Sequence, residues 1–110
     1  MTSAELSRTL RALADPSRRA QLQRLSYGPA TSGQLAELLT MSRPAGSQHL
    51  AVLSEAGLIN SMQAGRQRWH EIRPEYLYVV ENWLGGLLRQ WESAPTLRLP
   101  DREPSVRERP

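Results

Sequence analysis

The chain has 110 residues, with 14 Lys and Arg against 11 Asp and Glu for a formal charge of +3 and a sequence pI near 10.2. That is room for one modest domain with a real core, mildly basic, and the lack of Cys excludes a disulfide framework, a thiolate metal site and a cysteine nucleophile. No apolar run approaches the roughly 18 residues of a membrane span, and Met1-Thr2-Ser3-Ala4-Glu5 has none of the regions of a signal peptide, so the expectation is a cytoplasmic protein with no membrane partner.

Thr2 and Glu5 have capping-box spacing, and Leu6, Leu10 and Leu13 recur at helical intervals, which predicts a first helix from about Ser3 to Ala14. Its leucine stripe is narrow, with Arg8 and Arg11 beside it, so it wants a partner. Asp15-Pro16 is an N-cap followed by Pro at the first helical position. Ala20, Leu22 and Leu25 carry this second helix to about Tyr27, where Gly28-Pro29 ends it. A third helix opens at Thr31, with Gln34 completing a second capping box and Leu35, Leu38 and Leu39 as its apolar side. Thr40-Met41 is a short connector.

Ser42 then caps a fourth helix over residues 42–55, with Pro44 in its first turn and Gly57 as a stop. At about 100° per residue, Arg43, Pro44, Ser47, Gln48 and Ala51 share one side, and Ala45, Gly46, His49, Val52, Leu53 and Ala56 the other. One face is small, polar and basic, and its slenderness suits a DNA major groove. A plain amphipathic surface helix would carry more Glu and Lys and fewer short side chains. Two short helices joined by a tight turn, the second with this pattern, fit a helix-turn-helix.

After Gly57 the periodicity changes to alternation over 58–63 and 68–73, with Ala64-Gly65-Arg66-Gln67 between them. This predicts a β-hairpin with a basic tip, which by itself reads equally as a solvated loop and beside a helix-turn-helix is placed to lie along a phosphate backbone. Pro74 starts a long final helix reaching about Glu92. Leu77, Val80, Leu84, Leu87, Leu88 and Trp91 run close to heptad spacing along it, broadened by Tyr76, Val79 and Trp83. That is more apolar surface than one small domain covers. With Leu6, Leu10 and Leu13 of the first helix it points to a subunit interface. Gly85-Gly86 reads either as a close approach at a symmetry axis or as a kink or early break. From Ala94 the chain is rich in Pro and alternating charge, an expected extended tail in which Leu97 and Leu99 could pack locally. The architecture is mainly α with a small β-hairpin: a winged helix-turn-helix of five helices and a two-stranded wing over residues 1–93, then a tail over 94–110.

The order of elements and several motifs together resemble the ArsR-type winged helix-turn-helix repressors. They are Leu13-Ala14-Asp15-Pro16-Ser17-Arg18-Arg19, Gly33-Gln34-Leu35-Ala36-Glu37-Leu38, Met41-Ser42-Arg43-Pro44-Ala45-Gly46-Ser47-Gln48-His49-Leu50 with Leu53, and Glu55-Ala56-Gly57-Leu58-Ile59. The resemblance spans about residues 3–92 and implies a homodimeric repressor on a near-palindromic operator, its first and last helices making the dimer. Two departures stand out. Gly46 replaces the usual bulky aliphatic, an inward position where it should leave a hole. The branch that senses metals uses cysteines, or His and acidic residues on the outer helices, so no metal and no cofactor is expected here.

For double-stranded DNA, Arg43 is the first candidate for a base contact, with a phosphate contact as its plainer role. Ser47 and Gln48 share its face, beside Ser42 and Pro44. Thr31 and Ser32 open the third helix, where phosphate binding and capping compete. Arg66, Gln67 and Arg68 are the wing candidates. The Arg-only cations suit phosphate and guanine edges, although a GC-rich genome explains them equally well. His49 reads as a structural, hydrogen-bonded residue, and nothing is assigned to His70. An unknown small-molecule effector could lodge among Trp83, Trp91 and Tyr76. No arrangement of catalytic groups stands out, so an enzyme is not expected. The rival function is a winged-helix protein-interaction module without site-selective DNA binding.

Overall fold

The computed structural model describes residues 2–97. Within them the chain runs α1 (Ser3–Leu13), α2 (Pro16–Leu25), β1 (Ala30–Thr31), α3 (Ser32–Leu38), α4 (Arg43–Glu55), β2 (Ile59–Ala64), β3 (Gln67–Ile72) and α5 (Glu75–Ser93). The winged helix-turn-helix is present, and its wing gains a short third strand: the sheet order is β1-β3-β2, antiparallel throughout. Two residues are too few to show alternation, which is why Ala30–Thr31 had no strand signal.

Side-chain caps set most of the boundaries. Glu5 N–H donates to Thr2 Oγ1 and Thr2 N–H to Glu5 Oε1, each at 3.0 Å, so both halves of the first capping box form. Arg18 N–H donates to Asp15 Oδ2 at 3.1 Å to open α2. That bond, helped by the nearby His49, holds the Asp15 carboxyl below its ordinary value. The corner between α1 and α2 is closed by guanidinium groups. Arg18 donates to the carbonyls of Ala12 (2.8 Å) and Arg11 (3.0 Å), and Arg19 to that of Leu13 (2.9 Å). These are the carbonyls a helix end leaves without partners. α2 stops at Leu25, two residues short of the expected Tyr27, with Ser26 as C-cap.

α3 and α4 end in the same way with different residues. After α3, Met41 N–H donates to Ala36 O at 3.0 Å and Thr40 N–H to Glu37 O at 3.4 Å, with Thr40 at φ 56°. After α4, Leu58 N–H donates to Leu53 O and Gly57 N–H to Ser54 O, both at 3.0 Å, with Gly57 at φ 78°. Both are Schellman turns, which need a left-handed residue. Glycine supplies it freely; a β-branched Thr does so at a cost of about 1–2 kcal/mol. Gly57 is also held by space: a Cβ there would lie 2.8 Å and 2.9 Å from two carbons of the Tyr76 ring.

The core gathers Ala12, Leu22, Leu25, Ala30, Leu35, Leu50, Leu53, Ala56, Leu58 and Ile59, with Leu13, Ile72, Tyr76 and Leu77 packed against it. Two expected inward residues do not join it. Leu38 is 60% exposed and Val52 38%. The buried side of α3 is centred on Leu35 and Ala36, which puts Leu38 on the far flank; α4 turns inward on Gly46, Leu50 and Leu53, which does the same to Val52. α5 runs unbroken through Gly85-Gly86, which removes the early break. Only one of its described residues is buried, Val80, while Leu84, Leu87 and Leu88 are exposed. Leu97 is exposed at the end of the described chain, and the expectations for Leu99 and the rest of the tail to Pro110 lie outside the described residues.

The two turns make opposite predictions. Gly57→Ala should destabilise the fold by about 2 kcal/mol or more, since it adds left-handed strain to a clash with Tyr76. Thr40→Gly should stabilise it by about 1 kcal/mol. Urea midpoints at constant slope measure both; equal midpoints for the two variants would contradict this account of the turns.

Candidate nucleic-acid interface

α4 is opened by a side-chain cap and presents one edge to solvent. Ala45 N–H donates to Ser42 Oγ at 3.2 Å, and Pro44 occupies the first turn. Behind, Gly46, Leu50 and Leu53 are buried; in front, Ser42, Arg43, Pro44, Ser47, Gln48 and Ala51 are all exposed. The polar, slender face expected from the sequence is therefore the face turned to solvent.

What holds the back is partly polar. Gln21 of α2 is fully buried, and its Nε2 donates to the Gly46 carbonyl at 3.2 Å. The same Nε2 lies 3.8 Å from Met41 Sδ, and Gln21 Oε1 is buried with no partner among the described residues. Gly46 was expected to leave a hole, and it does not. A Cβ there would stand 3.4 Å from Met41 Sδ and 4.0 Å from Gln21 Nε2, so the thioether and the amide fill the space an aliphatic would take. On the flank, half-buried His49 has its Nδ1 3.4 Å from Arg18 Nη1 and 3.8 Å from Asp15 Oδ2, which ties α4 to the α1–α2 corner.

The wing tip is tighter than expected. Ala64 pairs with Gln67, so the turn is the two residues Gly65-Arg66 instead of four. Gly65 supplies φ 63°, the positive angle a two-residue hairpin demands. Arg66, Gln67 and Arg68 are exposed, and Arg68 Nη1 donates to Gln63 Oε1 at a long 3.5 Å.

Between α4 and the wing lies an open cleft of about 370 Å³ lined by Ser32, Ser47, Ser54, Ser61, Arg68 and His70, among others. It brings Ser47 of the helix and Arg68 of the wing to one feature. Its floor is the residue to which the sequence reading assigned nothing. His70 is only 4% exposed, with Nε2 2.7 Å from Ser32 Oγ and Nδ1 2.7 Å from Ser61 Oγ. Burial first, and then the charge of Arg68, push its imidazole below the ordinary value of 6.5. The signal was available: alternation places His70 on the same strand face as Ile72, which packs against the core. Gln21 had no comparable signal.

The two residues opening α3 are engaged internally. Thr31 is buried, pairs with Trp69 in the sheet and accepts from Gln34 N–H at 3.0 Å, so its side chain serves as the cap of α3. Ser32 shares its hydroxyl with His70. Arg43 folds back over Gly33: a Cβ on that glycine would lie 3.3 Å from Arg43 Nη1. The leucines expected at a dimer interface divide. Leu84, Leu87 and Leu88 are exposed and Trp91 is 41% exposed, whereas Val80 is buried within the chain and Leu13 and Leu77 lean on its core.

Comparison with known proteins places this geometry in context. Residues 13–61 match the helix-turn-helix domain family. The HTH-type transcriptional regulator Rv2034 of Mycobacterium tuberculosis is 43% identical over 89 residues, covering 81% of this chain and 80% of the relative. The transcriptional repressor SdpR of Bacillus subtilis is 30% identical over 88 residues, covering 80% of this chain and 98% of the relative. Among solved structures, the ArsR family transcriptional regulator RHA00566 is similar with a TM-score of 0.80 and 39% identity, over 86% of this chain and 98% of that one.

The seat at Gly46 carries a stability prediction. Gly46→Ala should stabilise the protein by up to about 1 kcal/mol, because the methyl group meets only ordinary contacts and helix propensity improves. Gly46→Leu should destabilise it, since Met41 and Gln21 occupy the volume. Thermal melts of both variants test this, and a more stable leucine variant would revive the hole.

Proposed function

The chain belongs to the ArsR family of winged helix-turn-helix transcriptional regulators, and from that premise we propose that it is a homodimeric repressor reading a near-palindromic operator. It is a transcriptional regulator and not an enzyme. In this reading α4 enters the major groove with Ser42, Arg43, Pro44, Ser47 and Gln48, and the wing lays Arg66, Gln67 and Arg68 on the backbone or minor groove. Residues 1–93 act as one DNA-binding and dimerisation domain. The observation that carries the proposal is the exposed small, polar, basic front of α4, backed by a buried core and flanked by an arginine-bearing wing tip. Thr31 is left out of the contact set because it is buried.

Support for the dimer is the exposed apolar row Leu84, Leu87 and Leu88 on α5, together with Leu10, 38% exposed on α1. Solvent-facing leucines in such density mark an interaction surface. A small-molecule effector would have to enter near Trp83 and Trp91, because the Tyr76 ring is packed on Gly57. The rival module that binds protein without site selectivity has no observation that favours it over this reading.

Selection from a random DNA pool should return paired half-sites centred roughly 34 Å apart. Affinity should fall steeply with salt. Arg43→Ala should weaken the selected site by about 1–3 kcal/mol and relax one base position; an equal loss on random DNA would mean that Arg43 touches phosphate only. The double variant Leu84→Glu, Leu88→Glu should keep the circular dichroism spectrum and sediment as a monomer. A dimer that survives it would locate the interface elsewhere.

A further inference from the structure

We infer that His70 is a positioning residue for DNA binding: its uncharged imidazole ties the wing to the first residue of α3, and protonation loosens that tie. The inference rests on the DNA-binding reading above.

His70 is the one buried histidine among the described residues, and each of its ring nitrogens meets a hydroxyl from a different element at 2.7 Å: Ser32 of α3 and Ser61 of β2. A neutral imidazole has one N–H donor and one bare acceptor, and a serine hydroxyl is both donor and acceptor. One serine therefore accepts from the ring and the other donates to it, and both ring nitrogens are satisfied. An imidazolium has two donors. The serine that was donating must turn its proton elsewhere, and a charge is set into a site only 4% exposed.

The surrounding charges act in the same direction. Arg68 of β3, two residues along on the same strand face, repels the imidazolium, and Glu55 of α4 faces it only across the open cleft. Ser32 of α3, Ser61 of β2 and Ala30 of β1, paired with His70 itself, carry no charge. Burial and Arg68 together hold the docked imidazole below 6.5. The sign follows. A histidine released from the site takes its proton near 6.5, so the tie is at full strength above that pH and weakens as pH falls toward the lower value of the docked form.

The consequence reaches function because α4 and the wing tip must meet one duplex together. Arg68 and the turn at Gly65-Arg66 lie on the strand pair that His70 pins to α3. Without that side-chain tie both contact sets stay intact, but the wing is then held to the start of α3 only by the backbone pairing of Ala30 and Thr31 with His70 and Trp69, and its orientation is less tightly fixed. Phosphodiesters do not titrate in this range, so the DNA adds no pH dependence of its own.

The test is anisotropy of the full chain on its selected operator at pH 7.5, 6.5 and 5.5 and constant salt. Wild type should weaken by about fivefold or more between the extremes, a shift of order one bound proton. His70→Phe fills the site without ring nitrogens and should bind more weakly at pH 7.5 with a flat profile; His49→Gln should keep the wild-type slope. Ser61→Ala, the milder variant should the phenylalanine not fold, should lower affinity at pH 7.5 and flatten the slope. A flat wild-type profile, or a slope that survives in the His70 variant and vanishes in His49→Gln, overturns the inference. In DNA-free protein, NMR should show the His70 ring and the Arg66 to Arg68 amides titrating with one midpoint below 6.5. Amides that ignore His70 overturn the tie whether or not DNA binds. If no DNA is selected but the shared midpoint is seen, it is the repressor reading that fails and the tie that stands.

Discussion

The burial of one side of α4 is the constraint on which the rest of the structure depends. Leu50 and Leu53 are nearly inaccessible, and Gly46 between them and the N-terminus lies flat against α2. Each fully buried leucine is worth about 1.5–3 kcal/mol relative to exposure, more than any single contact on the front could supply. With a helical period of 3.6, fixing the back fixes the front. Arg43, Ser47 and Gln48 face solvent because the core leaves them no alternative. Their chemistry is then free to be chosen for a partner, since it contributes little to folding.

The C-terminal end of the same helix couples it to α5. Gly57 ends α4 in a left-handed turn, and the Tyr76 ring sits so close that only glycine fits. Tyr76 belongs to the first turn of α5, and the exposed apolar row Leu84, Leu87 and Leu88 follows on the same helix. The reading helix and the proposed interface helix therefore meet at a contact with no slack. A rigid contact of that kind transmits orientation: how two copies of α5 sit together would set how two copies of α4 are spaced. At the other end of the chain Arg18 works similarly, binding the carbonyls of α1 and approaching His49 of α4.

Much of this was legible in the sequence because caps are local. Thr2 with Glu5, Asp15 with Pro16, Thr31 with Gln34 and Ser42 with Pro44 each announce a helix within four residues, and each cap side chain accepts from the backbone N–H three residues on, those of Glu5, Arg18, Gln34 and Ala45. The exposed front of α4 was legible for the same reason, as a short-range periodicity. What escaped was non-local. Leu38 and Val52 are leucine and valine by composition but lie on flanks that only the neighbours of α3 and α4 define. Gly46 reads as a hole until Met41 and Gln21, 5 and 25 residues away in sequence, are seen to fill it. His70 joins Ser61, its partner across the predicted hairpin, to Ser32, and only that second link, 38 residues away, lay beyond any local pattern.

The features that run against local preference are not scattered. Thr40 holds a left-handed backbone that glycine would hold more easily; Gly46 sits within a helix that alanine would favour; Gln21 buries an amide oxygen with no partner among the described residues. Met41 touches both Gly46 and Gln21 and directly follows Thr40, so all three lie in one small region under the N-terminal half of α4. Each is worth on the order of 1 kcal/mol in the unfavourable direction. No such defect lies at the far end, where Gly57 and Tyr76 lock the helix. α4 is thus firmly held where it meets α5 and less firmly held where Arg43, Ser47 and Gln48 project. Local opening follows local stability, so adjustment to a bound surface would begin at that softer half. Stability is withheld at the end that must fit something and concentrated at the end that must not move.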